Sequence, residues 1–154
     1  MTQKPLEQLE RQIGHTFGNK SLAASALTHS STGQGENYER LEFLGDRVLG
    51  LAVAEILFEN FPDENEGDLA KRLAALVQGE TLAEIAAEID IGSYIGFSAA
   101  ERQAGGAANE NILADVFEGL IGALYLEAGY GNCRALIEKL WGDRFHAMKT
   151  PPQH

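Results

Sequence analysis

The sequence predicts an all-α fold, on three observations. Apolar residues recur at helical spacing through most of the chain, the alternating Val, Ile, Thr and aromatic pattern of strands is nearly lacking, and Pro occurs only four times. A chain of 154 residues with 44% hydrophobic content and no internal repeat fits one domain with its own core and leaves no room for a second full one.

The elements follow in order. Residues 6–13 (LEQLERQI) read as a short opening helix, and 21–28 (SLAASALT) as a second, capped by Asn19 or Ser21. The polar stretch 29–35 (HSSTGQG) reads as a loop, and a long helix over 37–60 stops before Pro62. After a turn at 62–67, helices are expected over 68–77 and 80–88, parted near Gly79, while 89–97 is less regular. The Gly- and Ala-rich run 98–109 predicts a mobile loop with at most one helical turn. Helical spacing returns over 112–128, a break falls at 129–132, and a last helix is expected over 133–148, where Trp141 and Phe145 at i, i+4 mark core or interface. Residues 150–154 (TPPQH) read as the start of an extended linker.

Composition narrows the function classes. The longest apolar run, 49–58, is interrupted by Glu55 and too short for a bilayer, and 1–14 lacks the apolar core of a signal peptide, so a cytoplasmic protein without membrane contact is expected. The single cysteine, Cys133, excludes an internal disulfide and a thiolate metal cluster, and reads as a small buried apolar residue. A net charge of −11 argues against simple adhesion to nucleic acid, which uses basic patches. Contact with a polyanion would need a local reversal of sign, and divalent cations supply one.

Two segments bear on that point. In ERLEFLGD (39–46), a rotation of about 100° per residue puts Glu39, Glu42 and Asp46 near about 0°, 300° and 340°, one narrow acidic face opposite the core stripe of Leu41, Leu44 and Val48. In DVFEGLIGALYL (115–126), Asp115 and Glu118 stand at i, i+3, with Gly119 and Gly122 on the same side, where small residues let two helix backbones approach. Two such helices facing each other would gather four or more carboxylates and raise their pKa values unless cations compensated. An all-oxygen donor set without Cys or Glu-x-x-His favours Mg²⁺ or Mn²⁺ over zinc or iron. The spacing alone leaves two readings open, a solvated acidic face and a divalent-metal site, and names no substrate. DENEGD (63–68) is set aside as a calcium loop because its glycine falls one place late and no ligand sequence follows.

Five segments in order, ALTHSS (26–31), NYERLEFLGDRVL (37–49), FPDENEGDLAKRLAALV (61–77), TLAEIA (81–86) and ILADVFEGLIGALYLEAG (112–129), closely resemble the ribonuclease III endonuclease domain of bacterial type over nearly the whole chain. The resemblance implies that helical fold as a symmetric homodimer. It implies a magnesium-dependent endoribonuclease that hydrolyses double-stranded RNA to 5′-phosphate and 3′-hydroxyl ends with short 3′ overhangs, in rRNA and mRNA processing. It carries Glu42, Asp46, Asp115 and Glu118 over as metal ligands, Asp46 and Glu118 also as catalytic, and Glu39 and Glu66 as acids at the substrate edge. Mn²⁺ is expected to replace Mg²⁺. Phe43, near about 40° and therefore off the core stripe, matches a phenylalanine that inserts into the partner subunit. Residues 1–149 would be the catalytic domain, with 150–154 opening a linker to a double-stranded RNA-binding domain that the chain does not reach.

The chain departs from the family pattern in one place. Where basic residues are frequent, it has Gly105, Gly106, Ala107, Ala108 and Asn109, with Asn111 in place of serine, which weakens expected backbone contacts. Two competing readings stand beside the nuclease: a non-catalytic RNA-associated scaffold of the same fold, against which the intact acids speak, and an acidic protein-interaction module, which this departure favours. His29 is expected to pack or cap, and Lys71 and Arg72 to contact phosphate or form a solvated helix face.

Overall fold

The structure is a computed structural model that describes residues 3–33 and 37–152. The end of the 29–35 loop and the last two linker residues lie outside the described residues. Among the described residues eight α-helices form: α1 (Leu6–Ile13), α2 (Lys20–Ala26), α3 (Glu39–Asn60), α4 (Glu66–Val77), α5 (Gly79–Glu88), α6 (Ala99–Gln103), α7 (Glu110–Ala128) and α8 (Tyr130–Trp141). No strand is present among the described residues; a lone bridge joins Thr28 and Gly96. The all-α class is therefore the observed one, and no described helix is long and apolar enough to cross a membrane.

The centre of the fold is α7. From Leu113 to Leu124 every residue but Asp115 is buried, as a helix apolar on nearly all sides must be. Helices α2, α3, α5 and α8 pack around it, and α3 presses on it most closely. Two glycines allow that approach: a Cβ on Gly45 would stand 1.7 Å from the carbonyl oxygen of Glu118, and one on Gly122 would stand 2.2 Å from that of Leu41. Backbone therefore meets backbone where the acidic segments cross.

Local chemistry sets the boundaries. Asn19, Asn65 and Asn109 each accept a backbone N–H in the first turn, from Leu22, Asp68 and Ile112. These caps start α4 at Glu66 and α7 at Glu110, each two residues earlier than predicted. The last helix also differs from its predicted span of 133–148. Helix α8 begins directly after Gly129 and ends at Trp141, because Gly142 turns left-handed at φ 51°, and a 3-10 turn over Gly142–Phe145 carries Phe145 into the core. Trp141 and Cys133 are buried as expected, and Trp141 donates Nε1–H to the Leu76 carbonyl at 3.0 Å.

The 98–109 segment is more structured than a loose loop. Ser98 caps α6, the Ser98 amide donates to Ser31 Oγ, and Arg102 donates to the Ile95 carbonyl. A 3-10 turn over Gly106–Ala108 leads into the α7 cap. His29 accepts the Ser31 amide and packs on Tyr38 and Phe97, the capping role expected of it. The expectation for Arg72 fails: its side chain is wholly buried, held by Glu64 rather than turned to solvent or phosphate.

Candidate metal centre

Helix α3 begins at Glu39, and the carbonyl of Tyr38 just before it accepts the Glu42 amide at 2.7 Å, so Glu42 sits in the first turn. One turn later Gly45 meets Glu118 on α7. This crossing brings the two acidic faces together. Carboxylate oxygens of Glu42, Asp115 and Glu118 lie within 4.8 Å of one another. Asp46 makes a hydrogen-bonding contact with Glu118 from the edge of the group. It stays half-exposed, and its Oδ2 also accepts from Arg47 at 2.9 Å.

Such crowding has the electrostatic consequence expected of it. Burial, then contact with Asp46 and the charges of Asp46, Glu42 and Asp115, pushes Glu118 up to about 9; only 9% of the residue is exposed. Burial, then contact with Asp115 and the charges of Asp115, Glu39 and Asp46, pushes Glu42 up to about 7. The leading influences on both acids are burial and neighbouring carboxylates. Glu39 is exposed and acts on Glu42 through its charge. Glu66, exposed at the start of α4, is not among the clustered carboxylates.

Tyr38 was not singled out by the sequence reading. Its ring is buried against His29, and burial with the charges of Asp115, Glu42, Glu39 and Glu101 pushes its hydroxyl up to about 12. The available signal was its place four residues before Glu42, one turn away on the same helix face. Glu101 on α6 was also passed over; its charge acts on the Tyr38 hydroxyl.

The donor set fits a hard divalent cation: oxygen ligands only, closely grouped and partly dehydrated, with Arg47 paired to Asp46 at the rim. Phe43 stands beside the acids with 65% of its surface exposed and the Arg47 guanidinium 4.5 Å from its ring centre. Leu51, Phe58 and Leu126 are exposed as well.

An all-helical domain with acids converging from two central helices belongs to the ribonuclease-III-like family, whose model matches residues 19–143 of this chain. The chain is 47% identical over 141 residues to a ribonuclease 3 of Marinomonas sp. (strain MWYL1), covering 92% of this chain and 62% of that protein. It is 50% identical over 133 residues to a ribonuclease 3 of Hahella chejuensis, covering 86% and 58% respectively. The chain thus spans less than two thirds of the length of these curated relatives. Among solved structures it resembles the nuclease domain of ribonuclease III from Campylobacter jejuni, a protein with a region involved in dimer formation, at a TM-score of 0.89 and 42% identity over 92% of this chain and 99% of that one. It also resembles Dicer from Pichia stipitis, at a TM-score of 0.67 and 30% identity over 87% of this chain and 60% of that one.

Proposed function

We propose that this chain is a catalytic domain that hydrolyses double-stranded RNA, working as a homodimer with Mg²⁺, or Mn²⁺ in its place. The observation that carries the proposal is the convergence of Glu42, Asp115 and Glu118, with Asp46 at their edge. A bound divalent cation would supply an activated water and neutralise charge on the leaving oxygen. The residues of the chain do the rest. Glu42, Asp115 and Glu118 hold the cation site; Glu118, the most buried, fixes its inner side, and Asp46 closes it towards solvent. Glu39 and Glu66 would border the substrate path. With the acids compensated, the local sign no longer repels phosphate, which reconciles the net charge of −11 with an RNA substrate.

The dimer reading rests on the exposed Phe43. It lines a groove together with Leu22, Leu41, Leu44 and Leu126, so a two-fold axis would let each Phe43 enter the groove of the other copy. Two sites would then face the two RNA strands. Cuts leaving 5′-phosphate and 3′-hydroxyl ends with short 3′ overhangs, in rRNA and mRNA processing in the cytoplasm, complete the reading. So do a catalytic domain over 1–149 and a linker opening at 150–154.

The test is cleavage of long double-stranded RNA at low salt, in Mg²⁺ and in EDTA, by the wild type and Glu118→Gln. Cutting that needs the metal and falls at least about a hundredfold in the folded variant is expected. Equal cutting by both proteins would refute the catalytic assignment. Binding of RNA without cutting by either would favour the scaffold, and neither binding nor cutting the interaction module.

A further inference from the structure

Arg72 lies in the interior of α4, none of its surface exposed. A guanidinium has five donors and no acceptor, and its burial is costly unless it is paired and hydrogen-bonded. Glu64 answers the charge with a two-pronged contact, accepting Nε–H and Nη2–H at 2.7 Å each. The Phe61 ring covers the guanidinium plane, 3.9 Å from its carbon. The remaining contacts go to another part of the chain: Nη1 donates to the Met148 carbonyl at 2.5 Å and Nη2 to the Lys149 carbonyl at 3.2 Å.

These contacts trace a path. Beyond α8 the chain is pinned at Trp141 to the Leu76 carbonyl, turns through Gly142–Phe145, lays His146 on Phe61 with ring centres 6.0 Å apart, and meets Arg72 at 148–149. It runs back along α4, from the end bearing Leu76 towards the end bearing Glu66, about 9 Å further along the axis at 1.5 Å per residue. We infer that Arg72 is an anchor that clamps the 146–149 segment through its main-chain carbonyls, so that the chain beyond Lys149 starts from a fixed point directed towards the first turn of α4. Gripping carbonyls makes the clamp independent of the side chains at 148 and 149. The use of the clamp, delivering later residues beside Glu66 at the substrate edge, rests on the proposed function; the clamp itself does not.

Limited trypsin digestion of the full chain under native conditions separates these statements, because it reads the segment and not activity. Cuts after Lys149 are compared by mass spectrometry with cuts after Lys139, an exposed site within α8. The wild type is expected to resist cutting after Lys149. Arg72→Met keeps the apolar volume and Arg72→Lys keeps the charge but loses the fork; both should speed cutting after Lys149 by about tenfold or more, with Lys139 unchanged, as loss of hydrogen bonds to a buried charge predicts. If Arg72→Met fails to fold, Arg72→Lys decides. Ready cutting of the wild type after Lys149, no change in the folded variant, or an equal rise at both sites would overturn the anchor.

Discussion

Gly45→Ala tests whether one helix contact sets both stability and the spacing of the acids. The added Cβ would stand 1.7 Å from the Glu118 carbonyl oxygen, 2.7 Å from its carbon and 2.9 Å from the Gly122 nitrogen. Carbon and oxygen come no closer than about 3.3 Å in ordinary contacts, so α3 and α7 must part locally by about 1.6 Å. Backbone, not a flexible side-chain tip, has to yield. That places the cost at the upper end of overpacking, about 3 kcal/mol, or roughly 6 to 12 °C of melting temperature for a domain of this size. Glu42 lies one turn before Gly45, whereas Asp115 and Glu118 belong to α7, so the same parting opens the carboxylate group by several times the roughly 0.2 Å a metal site tolerates. Thermal unfolding in EDTA and in excess Mn²⁺ reads both effects. At a hundredfold excess over the dissociation constant the wild type should gain about 2.7 kcal/mol, and Gly45→Ala should melt lower in EDTA and gain almost nothing. Gly50→Ala is the control, because nothing lies within 4 Å of its added carbon; there alanine should stabilise α3 by about 0.5 to 1 kcal/mol and leave the metal response intact. A Gly45→Ala protein with wild-type melting and the full Mn²⁺ shift would refute the close-contact account.

The remaining predictions concern pH and assembly. Glu42 and Glu118 have folded-state values of about 7 and about 9, above the carboxylate range of an unfolded chain, so the metal-free fold is favoured while both are protonated. Its stability is therefore highest near pH 4.5 and falls as pH rises through about 7 towards about 9. Urea unfolding in EDTA should show that fall, and Glu118→Gln should flatten it and gain at least about 2 kcal/mol at pH 8, because there the fold holds Glu118 protonated while the unfolded chain ionises it; an unchanged slope would contradict the assignment of Glu118. Phe43→Asp should sediment as a monomer with wild-type helicity, because the side chain it alters is exposed within one subunit; an unchanged dimer would remove the role given to Phe43.

Much of this arrangement was legible in the sequence, for physical reasons that differ between residues. A period of 3.6 placed Glu39, Glu42 and Asp46 on one face and paired Asp115 with Glu118, because a helix converts spacing directly into direction. Gly119 and Gly122 signalled a close approach, but Gly45, their counterpart on α3, carried no signal of its own; only the carbonyl it touches reveals its purpose. Asn65 and Asn109 could have been read as caps, which would have moved both helix starts by two residues. Gly142 was hidden because Trp141 and Phe145 continue an apolar spacing across it, although the backbone there is left-handed. Arg72 was misread because charge within a helical pattern ordinarily marks the solvent side. Its partners, Glu64 and the carbonyls of 148 and 149, lie in parts of the chain that periodicity does not connect.

The acids of the centre do not stabilise the empty domain. Glu118 is buried with three other carboxylates acting on it, so at neutral pH the fold holds it protonated where an unfolded chain would ionise it, a cost that a single neutral substitution removes. An apolar α7 with close contacts at Gly45 and Gly122 supplies the packing that holds it in place. This is the pattern expected when a site is kept for what it binds, and it makes the two effects of Glu118→Gln opposite in sign. The variant should be the more stable protein without metal and the weaker binder of Mn²⁺. A solvated acidic face would show neither change, because exposed carboxylates neither gain stability on losing their charge nor bind a divalent ion tightly enough to shift unfolding.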